Sequence, residues 1–302
     1  MTWIVVMNLK FLLLILPLCL SVQHVQSQTD PAATLFTGKP VIISEGHQFA
    51  EGMAFDAEGN FYFTDVPAGK LFRVDAKTGK KSLFDDQSGK TNGIAIGPDG
   101  MLYGCAGGDK RIYRWDLKSG KKTPVAEGAF SNDIAITRSG IIFFTDPKTQ
   151  SVWRVSPAPE RKLTKAAALP WRPNGIALNP KHDTLMVAEF GADKVHRFPV
   201  AADGSLGKSE PAYRLATGED GRGMLDGMVV MPSGNLLIGT ARGIQLVPPL
   251  SSKSADFKAI VIPPFGDRPR CNYVRLSPDG QWLYAAFRAD IVRLPVRKGA
   301  IR

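Results

Sequence analysis

Cysteine, histidine and long apolar runs are scarce in this sequence, and each shortage excludes something. Three cysteines occur in 302 residues. Cys105 and Cys271 fit no metal-ligand spacing and no disulfide framework, and they fall at different places within the repeats described below. Two free, buried thiols are expected. Four histidines occur, and neither an H-E-x-x-H nor a G-x-S-x-G motif is present, which removes the common zinc-protease and serine-hydrolase signatures. His47 reads as a solvated loop residue, His182 as part of a hairpin turn and His196 as packed in a strand, so a serine triad is not expected. No amphipathic stretch of helical period separates the strand-like segments, which excludes an α/β fold with crossover helices.

The one extended apolar run lies at the start. Lys10 precedes Phe11 to Leu20, and Val25-Gln26-Ser27 places small residues at a cleavage position. This is the layout of a secretory signal over residues 1–27, with residues 28–302 as one exported domain, periplasmic or secreted. The run is shorter than the roughly 20 residues of a membrane span, and Leu16-Pro17-Leu18 before Cys19 lacks the small residue of a lipidation site. No later segment could span, so no stable membrane span is expected once the signal is removed.

Acid is also in deficit, with 28 Asp and Glu against 38 Lys and Arg and a net charge of +10. The basic residues are scattered, and Lys80-Lys81 and Lys121-Lys122 each follow a glycine at a hairpin tip. Solvated turns explain them better than a nucleic-acid patch, so no nucleic-acid partner is expected. Hydrophobic residues at 44% suffice for a sizeable core.

What is present is a repeat. A polar residue, an apolar alternation, a turn and a second apolar strand recur six times, headed by Glu51, Asn92, Asn132, Asn174, Asp226 and Asn272. The steps between heads are 41, 40, 42, 52 and 46 residues, the period of propeller blades. Pro98-Asp99-Gly100 and Pro278-Asp279-Gly280 mark hairpins. The sixth repeat runs out after three strands, while Pro40 to Ser44 is a spare strand ahead of the first. The fold class is therefore all-β: a six-bladed β-propeller, its ring closed by an N-terminal strand completing the last blade.

In a propeller the first strand of each blade lines the central channel, so the six heads converge at one mouth. Carboxylates with amide oxygens suit a hard divalent cation such as Ca²⁺. Taken alone, Asn92-Gly93 reads as a turn. A turn residue would not need to recur as Asn, Asp or Glu in all six repeats, and for the set a metal site is the better reading.

At these residues the sequence resembles the gluconolactonase/regucalcin family of six-bladed propellers, over about residues 45 to 295. The matching motifs are Glu51-Gly52, Asn132-Asp133, Phe144-Thr145-Asp146-Pro147, Arg172-Pro173-Asn174-Gly175 and Leu225-Asp226-Gly227. The resemblance implies one divalent metal ion held by Glu51, Asn174 and Asp226, with Asp226 also the acid/base candidate. It places Asn132 beside the metal or the substrate. Asn92, Asn132 and Arg172 form the candidate substrate-contact set. Ca²⁺ is the metal expected first, and Zn²⁺, Mn²⁺ or Mg²⁺ also suit an oxygen site. The implied activity is metal-dependent hydrolysis of a small lactone or related ester. The alternative is a non-catalytic propeller that binds a sugar or protein and keeps the ion for structure.

Overall fold

A computed structural model describes residues 35–250, 260–262 and 270–299. The signal expected over residues 1–27 lies outside them. Among the described residues are six four-stranded antiparallel sheets in a ring, the predicted six-bladed propeller. The chain fills each blade from the inside outward. In the first, Ala50–Phe55, Phe61–Asp65, Lys70–Val74 and Lys81–Asp85 pair in that order. The last blade is closed as expected: Val41–Ser44 pairs antiparallel with Asp290–Pro295, so the ring's two ends share one sheet.

Alternation sets the packing. In Phe61–Asp65 all five residues are buried, because both faces of a blade meet neighbouring blades. The contact between the first and last blades holds Met53, Phe61, Phe63, Tyr273, Tyr284 and Ile291. Trp115, 0% exposed, fills the next interface. Each fully buried Leu, Ile or Phe stabilises the fold by about 1.5–3 kcal/mol. Cys105 and Cys271 are buried and free, as expected. At the hairpin tips Lys80 and Lys121 are exposed. Their neighbours are engaged: Lys122 pairs with Asp85 at 3.2 Å, and Lys81 enters the seam described next.

His47 departs from expectation. It is buried, in the seam between the last and first blades. Its Nε2 lies 2.7 Å from Ser44 Oγ and its Nδ1 3.4 Å from Asp65 Oδ2, while Lys81 Nζ donates to Ser44 Oγ at 2.8 Å. Phe63 and Phe72 present their rings to the imidazole. Asp65 also accepts the Gln48 and Phe49 N–H groups. The chain Lys81–Ser44–His47–Asp65 has the order of a hydrolytic triad. Its serine is buried and already takes a lysine ammonium, and the chain ties the closing strand to the first blade.

The glycines after the heads are not the turn glycines that Asn92-Gly93 taken alone would suggest. Gly52, Gly93, Gly175 and Gly227 follow four of the heads, and none has a positive φ. They sit in inner strands or at their start, and a Cβ on any of them would collide with the next blade. The contact would be 2.0 Å to Asp226 O for Gly175 and 2.2 Å to Asn92 O for Gly52. The glycines are there because six inner strands crowd around one axis. True turn glycines lie at the far ends of these strands, as at Gly100 with φ 75°.

Candidate active site at the channel mouth

The head residues are held from two directions. Gly93 N–H donates to Asn132 O and Gly227 N–H to Asn272 O, linking one blade's inner strand to the next. Thr64 Oγ1 donates to Asn92 O and Thr145 Oγ1 to Asn174 O. The Phe-Thr-Asp motif thus braces the neighbouring head through its threonine.

The structure brings Glu51, Asn174 and Asp226 together and buries all three, at 6%, 8% and 4% exposure. Asn174 Nδ2 donates to Asp226 Oδ1 at 2.8 Å and to Leu225 O at 3.1 Å. Its Oδ1 has no partner among the described residues. Arg270 Nη2 donates to Asp226 Oδ2 at 2.9 Å. Burial, then the charges of Asp226 and Asp133, push the Glu51 carboxyl well above the usual range. Burial also raises Asp226, opposed by Arg270. Asn272, wholly buried beside Glu51, has neither amide atom in hydrogen-bond contact.

This donor set fits a hard cation. Two carboxylates, a free amide oxygen and an unpartnered amide are buried together, with Arg270 the one cation in contact with them among the described residues. No cluster of three or more His, Cys, Asp or Glu among the described residues would hold a metal, so neutral amide oxygens must supply part of any coordination shell.

Asn92 and Asn132 are half-buried, and their side chains make no hydrogen bond among the described residues. Arg172 lies outside the ring: it is exposed, its guanidinium 4.6 Å from the Phe190 ring centre. His182 is in a hairpin turn, as read. His196 stacks on Trp171 at 4.5 Å and contacts Glu189 at 2.9 Å.

Three residues matter more than the sequence indicated. Asp133 and Tyr273 stand where four other blades have glycine, one residue past the head. Tyr273 OH donates to Asp133 Oδ1 at 3.1 Å across the channel, and Asp133 also accepts the Ile134 and Ile176 N–H groups. Burial raises Asp133 to about 6. This bridge spans the channel one residue past the heads. The signal for it was the break in the head-Gly pattern. The third residue, Arg270, is 44 positions from its partner Asp226, and nothing in the sequence pairs them.

The profile of the SMP-30/Gluconolactonase/LRE-like region matches residues 49–263. The chain belongs to this family. It is 25% identical over 257 residues to a gluconolactonase of Zymomonas mobilis, covering 72% of each chain. It is 30% identical over 200 residues to a lactonase of Staphylococcus haemolyticus, covering 60% of each. Among solved structures, a gluconolactonase from Xanthomonas campestris superposes with a TM-score of 0.73 at 22% identity, covering 89% of this chain and 94% of that one. Regucalcin from Agrobacterium tumefaciens, a calcium-binding protein, gives 0.67 at 19% identity, covering 86% and 95%. Both share the propeller fold. No described helix is long and apolar enough to cross a membrane.

Proposed function

We propose that this protein hydrolyses a small lactone or related ester at the channel mouth, with one divalent cation, Ca²⁺ first, held by Glu51, Asn174 and Asp226. One observation carries the reading. Glu51 and Asp226 are buried together, their pKa values raised, beside an amide with no partner. Among the described residues Arg270 is the one cation in contact with the pair, and burial of two carboxyls against a single cation is costly and is kept where a ligand completes it. The lactonases among the relatives supply the reaction class.

A bound dication supplies Lewis-acid polarisation of the lactone carbonyl and neutralises the two carboxylates. The chain's own residues do the rest. Asp226 takes the proton of the attacking water and returns it to the ring oxygen as the acyl C–O bond breaks. Arg270, on the other oxygen of Asp226, fixes the carboxylate plane. Asn174 orients the first oxygen through its Nδ2. Asn92 and Asn132, with free amides at the mouth, bind substrate hydroxyls. Asp133 and Tyr273 keep water from entering from below. We also place the mature protein outside the cytoplasm, on its N-terminal segment; fractionation with N-terminal sequencing checks this.

The test is turnover of glucono-δ-lactone by acid release, before and after chelation, and in Asp226→Ala. Loss in both supports the mechanism, and turnover surviving both removes it. The second reading, a binding propeller with a structural ion, draws on the Asp133–Tyr273 bridge that spans the channel. It predicts cation binding with no lactone turnover.

A further inference from the structure

The residues two places before the six heads form a second ring above the first: Phe49, Lys90, Phe130, Arg172, Met224 and Arg270. Three are cations, three are apolar and none is acidic. The apolar members carry further cations. Lys148 Nζ lies 4.1 Å from the Phe130 ring centre, and the Arg288 guanidinium 5.7 Å from that of Phe49. Arg172 and Arg270 share the Phe190 ring, at 4.6 and 5.8 Å. Phe190 is fixed there by its N–H, which donates to Arg172 O at 2.9 Å.

Lys90, Lys148, Arg172 and Arg288 are exposed and make no ion pair among the described residues. Three carboxylates in the adjacent turns are committed elsewhere, while Asp86, Glu219 and Asp220 stand exposed farther out in their loops. Glu189 meets His196, Asp193 pairs with Arg214 at 3.3 Å, and Asp146 accepts the N–H groups of Lys148 and Thr149. Arg270 is paired with Asp226, while the four exposed cations, three of them resting on aromatic faces, make a collar of positive potential. Through Arg270, bonded to Asp226, it adjoins the heads that include the two buried carboxyls, so the two layers differ in sign.

We propose that this collar selects lactones bearing a second, anionic group, a carboxylate or a phosphate, remote from the ring carbonyl. The inference rests on the lactonase reading above and adds the substrate class. The carbonyl faces Asp226 in the lower ring while the anion sits between Arg172 and Lys90 in the upper one. Planar guanidinium groups suit either oxyanion.

Three probes test it: neutral glucono-δ-lactone, its 6-phosphate, and the carboxylate-bearing glucaro-δ-lactone. In the wild-type protein kcat/KM for at least one anionic probe is expected to exceed the neutral one by about tenfold, the ~1.4 kcal/mol one charge-assisted contact supplies. Which probe leads tells phosphate from carboxylate. The anionic-to-neutral ratio is expected to collapse toward one in R172Q and to fall in K90Q, with melting temperatures confirming both folds. It is also expected to fall between salt of about 0.01 M and about 1 M, as the screening length drops from ~30 to ~3 Å. A neutral probe turned over as well as both anions, or a ratio unchanged in R172Q, overturns the inference and leaves the lactonase reading standing. No turnover of any probe overturns both.

Discussion

Two polar clusters in this propeller, both buried but for the exposed Lys81 of one, look alike by composition and differ in how completely they are paired. The seam cluster, Ser44, His47, Asp65 and Lys81, is saturated: each side chain has a partner within the cluster. The channel cluster, Glu51, Asn174, Asp226 and Asn272, is not. The Asn272 side-chain amide has no partner at hydrogen-bond geometry, Asn174 has an idle oxygen, and burial raises both carboxyls. A saturated network holds structure, while an unsaturated one awaits a ligand. The comparison separates a triad-like arrangement that ties the ring from a less familiar one to which the proposed chemistry is assigned.

The contrast breaks most sharply at Asp226. In Asp226→Ala, lactone turnover is expected to fall by a factor of about 10³ or more, as when a group acting in the transition state is lost. Ser44→Ala is expected to leave turnover within about twofold, because it lies in the seam, and to lower stability by about 1 kcal/mol. Steady-state kinetics and denaturant melts on both variants check the pair. Equal losses of turnover would erase the distinction.

Next in size is Gly175→Ala. Its Cβ would stand 2.0 Å from Asp226 O, so the blades must part at the site. A loss of about 3 kcal/mol or more is expected in a urea melt. A turn glycine such as Gly234, with nothing within 4 Å of its Cβ, is strained only by its φ of 84° and is expected to lose about 1 kcal/mol on the same change.

The two clusters also respond to pH in opposite directions. Glu51 and Asp226 are raised in the folded chain, chiefly by burial. Without a cation the fold therefore binds more protons than the unfolded chain above the ordinary carboxylate range, and stability falls as pH rises through that window. A divalent cation relieves the repulsion, so Ca²⁺ is expected to raise the melting temperature more at pH 8 than at pH 5. At a hundredfold excess over Kd the gain is about 2.7 kcal/mol. His47 is lowered from its ordinary 6.5, by burial and then by Lys81, against Asp65. The unfolded chain then binds the extra proton, so the seam loses stability as pH falls below 6.5 and contributes no slope above it. The His47→Gln variant is expected to flatten that acid limb, the smallest of these effects, readable in melts across pH.

Much of this was legible in the sequence because blades repeat. The period placed six polar heads at one mouth, and the missing strand in the sixth repeat announced closure by residues 40–44. The glycines after the heads were not legible: the pair Asn-Gly signals a turn locally, and only the crowding of six inner strands reveals the other reason for glycine. The Tyr273–Asp133 bond joins residues 140 apart, and Arg270 reaches Asp226 across a gap of 44. Neither pairing has a local pattern. His47 was misplaced for the same reason, since its partners come from the closing strand and the first blade. Family resemblance supplied the choice of three heads out of six, which spacing alone left open.

Calorimetric titration of Ca²⁺ into chelator-treated protein tests the central claim most directly. One saturable site is expected in the wild-type chain, weakened at least about tenfold in Glu51→Gln and abolished in Asp226→Ala, with both variants folded. No binding to the wild type, or binding untouched by both substitutions, would contradict a cation held on the propeller axis.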